Sequence, residues 1–304
     1  MLITEAQMEL AVHSPYDGRV VGNVAYQDEP TVERWLAHGH ALAKKEPLPK
    51  WERIRILDEA SRALKGGTEE FAILIASEAG KPLKDARVEA RRAAESLHLA
   101  ARILESAHGS EIPLDASPET EGVTGSTVLE PIGMVVAVSA FNHPLNLVAH
   151  QVAPVVAAGC PLIVKPSLDT PLCCIRLVEL LRQAGLPEPY CRVAIIGNEL
   201  AERLVTDSRV AFLSFIGSAK VGWKLRSKLA PGTRCALEHG GAAPALVLKD
   251  ADLSDAAKRL VKGSFYHGGQ VCVSTQRIFV EEDCLDEFLH YFTEAAGELV
   301  TGDP

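Results

Sequence analysis

The longest stretch without a charged side chain, residues 131–164, constrains the fold of this chain more than any other feature. A run of this length has to be tested as a membrane span, which needs about 20 consecutive apolar residues. Prolines and glycines divide the run into pieces of strand, loop and helix length, and Asn142, His143 and Gln151 interrupt its apolarity. We therefore interpret it as the core of a parallel sheet, whose strands are apolar on both faces.

After residue 130 the chain alternates between strand-like and helix-like segments. In chain order the predicted elements are strand 132–140, helix 145–158, strand 161–165, helix 171–184, strand 191–196, helix 199–205 and strand 210–215. This order predicts an α/β fold with a Rossmann-like parallel sheet. Ligands bind such sheets at the carboxyl ends of the strands, so we expect the functional residues to follow strands.

The first 130 residues show other patterns. Residues 1–30 contain a polar turn, Ser14–Gly18, that is typical of a short hairpin or an extended lead-in. From about 31 to 107 apolar residues recur at helical spacing, and we interpret the charge-rich helix at 84–98 as a solvated face without chemistry. Prolines and glycines break the helical pattern at 108–130, which favours an exposed hairpin.

Composition excludes several classes of protein. The net charge of −9 and the absence of a basic block argue against nucleic acid or a membrane surface as partner, so we expect a small-molecule ligand. The seven cysteines are an odd number without Cys-x-x-Cys spacing, which argues against a disulfide framework or a zinc site. Met1–Ala6 lacks the cationic start of a secretory signal, and we expect a cytoplasmic protein.

Cys272 is the candidate nucleophile. It follows Tyr-His-Gly-Gly-Gln-Val, in which Gly268 and Gly269 let the backbone approach a ligand. A thiol reacts as the thiolate, so it needs a partly exposed site with donors or a cation that lower its pKa. The alternative is a buried structural cysteine, which is the commoner fate of a free thiol.

Two further side chains fit the same chemistry. Glu238 follows an apolar strand and precedes His239 and the pair Gly240–Gly241, so its carboxylate can take a proton from water or from the thiol. Asn142 follows the first strand of the parallel sheet, and its amide can donate to a developing oxyanion. The alternatives are a solvated glutamate at a strand end and an asparagine that turns the chain.

Two segments have the features of a nucleotide site. Lys165 ends the second strand of the sheet, before Ser167, and can donate to ribose hydroxyls or to a phosphate. The segment Phe215-Ile216-Gly217-Ser218, with Gly222 one turn later, joins a strand to a helix whose N-terminus can bind phosphate. A surface lysine and a plain turn with an N-cap serine are the alternatives, because the second segment is not a Gly-x-Gly-x-x-Gly fingerprint.

Six motifs in a fixed order give the chain a resemblance to the aldehyde dehydrogenase superfamily along nearly its whole length. They are Glu78–Pro82, Phe141–Pro144, Lys165–Ser167, Phe215–Gly222, the segment around Glu238 and Gly269–Cys272. The wording Tyr-His-Gly-Gly-Gln-Val-Cys and Glu-His-Gly-Gly is most similar to the lactaldehyde dehydrogenase-like branch.

The resemblance implies oxidation of an aldehyde to a carboxylic acid with NAD or NADP, through a covalent thioester and without a metal. Cys272 would add to the aldehyde, Asn142 and the backbone N–H of Cys272 would hold the oxyanion, and Glu238 would activate the hydrolytic water. The implied cofactor contacts are Lys165, Ser167, Phe215, Gly217, Ser218 and Gly222. The implied substrate is a small aliphatic aldehyde, and the implied assembly is a homo-oligomer with residues 108–130 as an arm.

The chain also departs from the family pattern. Leu168 replaces a glutamate of many NAD-using members, which makes NADP plausible, and Ala242 replaces a common lysine. His239 and His267 stand where the family usually has Leu and Asn, so we interpret them as structural. The sequence stops at Pro304, before a downstream Glu-x-Phe-Gly-Pro motif of the family, and we expect the chain as written to turn over aldehydes poorly or not at all.

The domain interpretation has four parts. They are the N-terminal helical part of the cofactor domain at 1–107, the oligomerisation arm at 108–130, the dinucleotide-binding core at 131–235 and the first part of a catalytic domain at 236–304. Two other functions stay open. One is a catalytically silent fragment or paralogue that binds a nucleotide or acts through another chain. The other is a dehydrogenase that passes the thioester to coenzyme A, against which Glu238 argues.

Overall fold

The structure is a computed structural model that describes residues 8–304, so the prediction about Met1–Ala6 lies outside the described residues. Strands β1 (Glu9–His13) and β2 (Val20–Ala25) pair antiparallel around the turn at Ser14–Gly18, which confirms the predicted hairpin. Four helices follow, α1 (Glu29–Leu42), α2 (Lys50–Gly66), α3 (Thr68–Ala79) and α4 (Leu83–Ser106). Strands β3 (Glu111–Pro113) and β4 (Thr124–Ser126) then form the second predicted hairpin, whose strands are largely exposed.

The next elements alternate as predicted. They are β5 (Met134–Val138), α5 (Asn146–Ala158), β6 (Leu162–Lys165), α6 (Leu172–Gln183), β7 (Cys191–Val193), α7 (Asn198–Thr206), β8 (Val210–Gly217), α8 (Ala219–Arg226) and β9 (Arg234–His239). The five strands form one parallel sheet in the order β7-β6-β5-β8-β9. The uncharged run thus forms β5, α5 and β6, and no helix within residues 8–304 is long and apolar enough to cross a membrane.

Both faces of the sheet are covered, because successive side chains of a strand point to opposite faces. In β5, Val135 and Ala137 pack into the core formed with α2, α4 and α5, whereas Met134 and Val136 pack into a second core with α1 and α7. Central strands with two apolar faces need no polar alternation, which explains the uncharged run.

The last elements form a smaller unit. Strands β10 (Ala243–Val247) and β11 (Thr275–Val280) pair in parallel, with α9 (Leu253–Phe265) between them and α10 (Leu285–Gly297) after them. Their core contains the buried residues Val247, Ala257 and Phe288.

One grouping made from the sequence is corrected by the strand pairing. The domain interpretation began the catalytic domain at residue 236, but residues 236–239 belong to β9, which pairs with β8 as an outer strand of the five-stranded sheet. Its register sets Glu238 opposite Ile216 and His239 opposite Gly217. This pairing places Glu238 at the carboxyl ends of the parallel strands, where the other predicted site residues lie.

Candidate active site

Most of the predicted site residues lie at the carboxyl ends of the strands of the five-stranded sheet. They are Asn142 beyond β5, Lys165 at the end of β6, Phe215 and Gly217 at the end of β8, Ser218 at the start of α8 and Glu238 near the end of β9. Parallel strands end at a common edge, so the topology alone brings these residues together. Cys272 comes from the segment between α9 and β11, residues 266–274, which we call the cysteine loop.

A hydrogen bond joins the oxyanion candidate to the cysteine loop. Nδ2 of Asn142 donates to the backbone oxygen of Gln270 at 2.7 Å, two residues before Cys272. An amide nitrogen carries two hydrogens, so one N–H of Asn142 is fixed by Gln270 and the other is available for an oxyanion. Cys272 itself is exposed, whereas Cys160, Cys173, Cys174, Cys191 and Cys284 are buried. The exposure of Cys272 fits the nucleophile and not the buried alternative.

The glycine pair after Glu238 lies against the cysteine. A Cβ at Gly241 would come within 2.8 Å of the carbonyl oxygen of Cys272, so only glycine fits without a shift of the backbone. The side chain of Glu238 is exposed, and within residues 8–304 its carboxylate has no hydrogen-bond partner. The structure therefore brings the Glu238 segment to the nucleophile, without a hydrogen bond between the carboxylate and the thiol.

His239 points to the other face of β9, onto the segment predicted to bind the cofactor. Its ring packs edge-on against Phe215 and Trp223, with centroids 6.1 Å and 5.4 Å away. A Cβ at Gly222 would clash with Nε2 of His239, so the packing of this ring requires glycine there. This placement agrees with a structural interpretation of His239, and it gives Gly222 a packing reason in addition to its predicted cofactor role.

Lys165 has the features of a ligand-binding lysine. Its side chain is 7% exposed, and within residues 8–304 its ammonium has no hydrogen-bond partner. Burial lowers the pKa of Lys165, and the charge of Asp169 opposes that change. Beside it, Oγ of Ser167 accepts from the backbone N–H of Asp169 at 3.3 Å. A mostly buried lysine whose ammonium has no acceptor among residues 8–304 fits the hydroxyl and phosphate oxygens of a nicotinamide dinucleotide.

A buried group of charged and polar side chains lies behind Asn142. The charged cluster, as we call it, consists of Lys81, Glu89, His143 and His267. Lys81 is 0% exposed and forms an ion pair with Oε2 of Glu89. Nδ1 of His143 lies 2.8 Å from Nζ of Lys81 and 3.4 Å from Oε2 of Glu89.

The interpretation of residues 84–98 as a solvated face is wrong for Glu89, which is 3% exposed. Its Oε1 accepts the backbone N–H groups of Leu145 and Asn146 at 3.0 Å and 3.1 Å, where α5 begins. Burial alone would raise the pKa of Glu89, but the hydrogen bond with His143 and the charge of Lys81 hold it at about 2. The sequence carried signals for this cluster to which we assigned no role: Lys81 and His143 lie in the Glu78–Pro82 and Phe141–Pro144 motifs, and Glu89 falls on the apolar stripe of α4 between Ala86 and Ala90.

His267 is the member of the cluster that belongs to the cysteine loop. It is 8% exposed and adopts a left-handed backbone, with φ 50° and ψ 44°. Its ring centroid is 6.1 Å from that of His143. Burial, together with the charges of Lys81 and His143, lowers the pKa of His267 to about 4, so the ring is neutral at pH 7. The burial agrees with its interpretation as a structural residue.

Comparison with known proteins decides the family. The model of the aldehyde dehydrogenase family matches residues 3–304. This chain belongs to the aldehyde dehydrogenase family. The resemblance and the α/β fold predicted from the sequence are thereby confirmed.

Individual members agree with this assignment. The chain is 38% identical to the lactaldehyde dehydrogenase of Methanocaldococcus jannaschii over 262 residues, which cover 84% of this chain and 55% of that relative. Aldehyde dehydrogenase 21 from Physcomitrella patens, solved with the reaction product succinate, is 34% identical with a TM-score of 0.93, over 99% of this chain and 63% of that one. Glyceraldehyde-3-phosphate dehydrogenase GapN from Methanocaldococcus jannaschii, solved with NADP, is 34% identical with a TM-score of 0.91, over 99% and 66%. The chain spans from 55% to 65% of the length of the curated relatives it matches.

Proposed function

We propose that this chain carries the cofactor-binding domain and the nucleophile of a dehydrogenase that oxidises an aldehyde to a carboxylic acid with NAD or NADP. The observation that carries the proposal is the hydrogen bond from Asn142 to Gln270, which holds an oxyanion donor beside the exposed Cys272. Family membership supports the same reaction class.

In the proposed reaction the thiolate of Cys272 forms a bond to the aldehyde carbon, and the carbonyl oxygen takes the negative charge. The free N–H of Asn142 and the backbone N–H of Cys272 hold this oxygen, a role in which one lost donor can cost about 10² to 10³ in rate. Bound NAD or NADP supplies the acceptor for the hydride. Glu238 then takes a proton from the water that attacks the acyl carbon, so that the acid leaves and the thiol is restored.

The cofactor would lie along the sheet edge. The residues we propose to hold it are Lys165, Ser167, Phe215, Gly217, Ser218 and Gly222. Ser218 caps α8 by accepting from Val221 N at 3.4 Å, and the remaining N–H groups of that first turn can meet a phosphate. Leu168 carries no carboxylate, so position 168 itself does not repel a 2′-phosphate, and the neighbouring carboxylate of Asp169 accepts a hydrogen bond from Oγ of Ser167 at 3.2 Å. We propose that the protein uses NADP at least as well as NAD. The structure of GapN from Methanocaldococcus jannaschii, solved with NADP, supports this proposal.

The substrate class and the assembly are also proposals. The relatives named above act on lactaldehyde or glyceraldehyde 3-phosphate or were solved with succinate, which favours a small aliphatic aldehyde. The exposed hairpin of β3 and β4 supports the oligomerisation arm at 108–130.

The test follows the reduced cofactor during turnover of short aldehydes by the purified protein. We expect Cys272→Ala to abolish turnover while the protein still binds NADP, and Cys235→Ala, on β9, to serve as the matched control. In the unmodified protein iodoacetamide should label Cys272 before the buried thiols. Faster labelling of Cys173 or Cys284 with surviving activity would remove Cys272 from the nucleophilic role.

The role of Glu238 has its own test. Glu238→Gln should leave a burst of reduced cofactor followed by slow turnover, because the amide cannot take the proton of the hydrolytic water. Equal slowing of the burst and the steady state would contradict this role. Cofactor binding without any turnover would favour the silent nucleotide-binding protein, and turnover that requires coenzyme A would favour the acylating enzyme.

A further inference from the structure

The charged cluster links three parts of the chain that are far apart in sequence. Lys81 lies just before α4 and Glu89 in its second turn, His143 lies in the loop between β5 and α5, and His267 lies in the cysteine loop. Each part contributes a group that is buried or half-buried. A link of this kind can hold the loops that carry Asn142 and Cys272 in a fixed relation.

The first half of the link fixes Asn142. Glu89 accepts two backbone N–H groups at the start of α5, and its second oxygen faces Lys81 and His143. Asn142 directly precedes His143 in the chain. The contacts of Glu89 with His143 and with the start of α5 therefore fix the position of the backbone from which the side chain of Asn142 extends. Exposed glutamates of α4, such as Glu95, make no such connection.

The second half of the link fixes Gln270. The left-handed backbone of His267 is an uncommon state for a residue with a Cβ, and it persists only where the surroundings enforce it. Here the surroundings are the buried imidazole and its neighbour His143. The carbonyl of His267 accepts the N–H of Gln270 at 3.0 Å, and this turn aims the carbonyl of Gln270 at Nδ2 of Asn142.

We propose that His267 is a positioning residue. Its ring, held against the charged cluster, sets the turn that aims the carbonyl of Gln270, so that one N–H of Asn142 is tied and the other stays free beside Cys272. The catalytic meaning of this link rests on the proposed function, but the link itself can be measured without an aldehyde.

The experiment compares amide hydrogen exchange at Gln270 in the unmodified protein and in His267→Asn, Glu89→Gln and the double variant. Asparagine tolerates the left-handed backbone, so His267→Asn removes the ring and keeps the turn accessible. We expect each single variant to speed exchange at Gln270 by about tenfold, and the double variant to speed it by much less than the product, since both act on one link. Amides of Val136 and Leu213, in the sheet, report any global loss of stability.

The matched controls are His290→Asn, an exposed histidine of α10, and Glu95→Gln, an exposed glutamate of α4. Neither should change exchange at Gln270. His267→Gly separates two explanations: faster exchange supports positioning by the ring, whereas slower exchange would mean that His267 only strains the loop, which overturns the proposal. If Glu89→Gln fails to fold, the comparison of exchange at Gln270 between His267→Gly and the unmodified protein still tests the proposal.

A kinetic readout separates this inference from the proposed function. If the protein turns over an aldehyde, His267→Asn should lower kcat about tenfold or more with NADP binding unchanged, because Lys165 lies outside the cluster. Faster labelling of the buried thiols than of Cys272 by iodoacetamide would sink the proposed function and leave the exchange result standing. Turnover with independent, multiplicative effects of His267→Asn and Glu89→Gln on exchange would overturn this inference alone.

Discussion

Two buried glutamates occupy equivalent places in the fold and differ in charge. Glu78 accepts the backbone N–H groups of Leu172 and Cys173 where α6 begins, as Glu89 does at the start of α5. They are 2% and 3% exposed. Burial raises the pKa of Glu78 to about 7, whereas the pKa of Glu89 is lowered to about 2.

The difference follows from what each second oxygen meets. Glu89 gives one oxygen to both N–H groups and turns the other to Lys81 and His143. Glu78 uses one oxygen for each N–H, at 2.8 Å and 2.9 Å, and its neighbour is the thiol of Cys173. Two backbone N–H groups therefore do not offset the burial of a carboxylate here, and an adjacent cation does.

The strongest way to break this contrast is to remove the cation. Lys81→Met leaves Glu89 buried without its partner, and we expect the free energy of unfolding to fall by about 3 to 5 kcal/mol at pH 7. Urea unfolding measures this, with Lys84→Met on the exposed side of α4 as the control. The double variant Lys81→Met with Glu89→Gln should recover part of the loss. A single variant as stable as its control would show that Lys81 does not hold the charge of Glu89.

The pH dependence of stability sharpens the contrast at Glu78. Its pKa is about 7 in the folded protein against 4.5 as the ordinary value, so the folded state holds the extra proton between those values. The contribution is complete below pH 4.5 and is lost as the pH rises through 7, by about 3 kcal/mol in all. Urea unfolding from pH 4.5 to 8 should show stability falling as the pH rises, less steeply below pH 6.5 because His267 acts in the opposite direction there, and Glu78→Gln should remove the fall. An unchanged slope in that variant would assign the effect to another group.

His267 gives the opposite sign within the charged cluster. Its pKa is about 4 when folded against 6.5 as the ordinary value, so the unfolded state holds the extra proton between them. Stability from this group is complete above pH 6.5 and is lost as the pH falls through 4, by about 2 kcal/mol because the ring keeps some contact with water. In His267→Asn the free energy of unfolding should therefore fall more steeply as the pH rises from 4.5 to 6.5, because the effect of Glu78 is then no longer opposed by His267. A flatter profile in that variant would contradict the assignment.

The smallest expected effect comes from an ion pair on the outside of α4. Arg87 donates to both oxygens of Glu69 at 2.8 Å and 2.7 Å, and both side chains are exposed. Water screens such a pair, so Arg87→Ala should not shift the urea midpoint by a resolvable amount, despite good geometry. A loss comparable to that of Lys81→Met would mean that burial is not what separates the two pairs.

The sequence by itself determined the order and type of nearly all elements after residue 130, because hydrophobic periodicity is a local property of strands and helices. It also placed Asn142, Lys165 and Glu238 after strands, and a parallel sheet then had to bring them to one edge. The exposure of Cys272 and its approach to Gly241 agree with that prediction.

Only the tertiary structure decided which charged residues are buried. Along α4, Glu89 lies on the buried face with Ala86 and Ala90, whereas Glu95 is exposed, and the partners that keep Glu89 charged, Lys81 and N–H groups at the start of α5, lie outside that helix. The pairing of β9 with β8, and the left-handed turn at His267, likewise depend on contacts between distant segments. Periodicity reports the preference of a residue for its own element, whereas burial of a charge depends on what the rest of the chain places beside it.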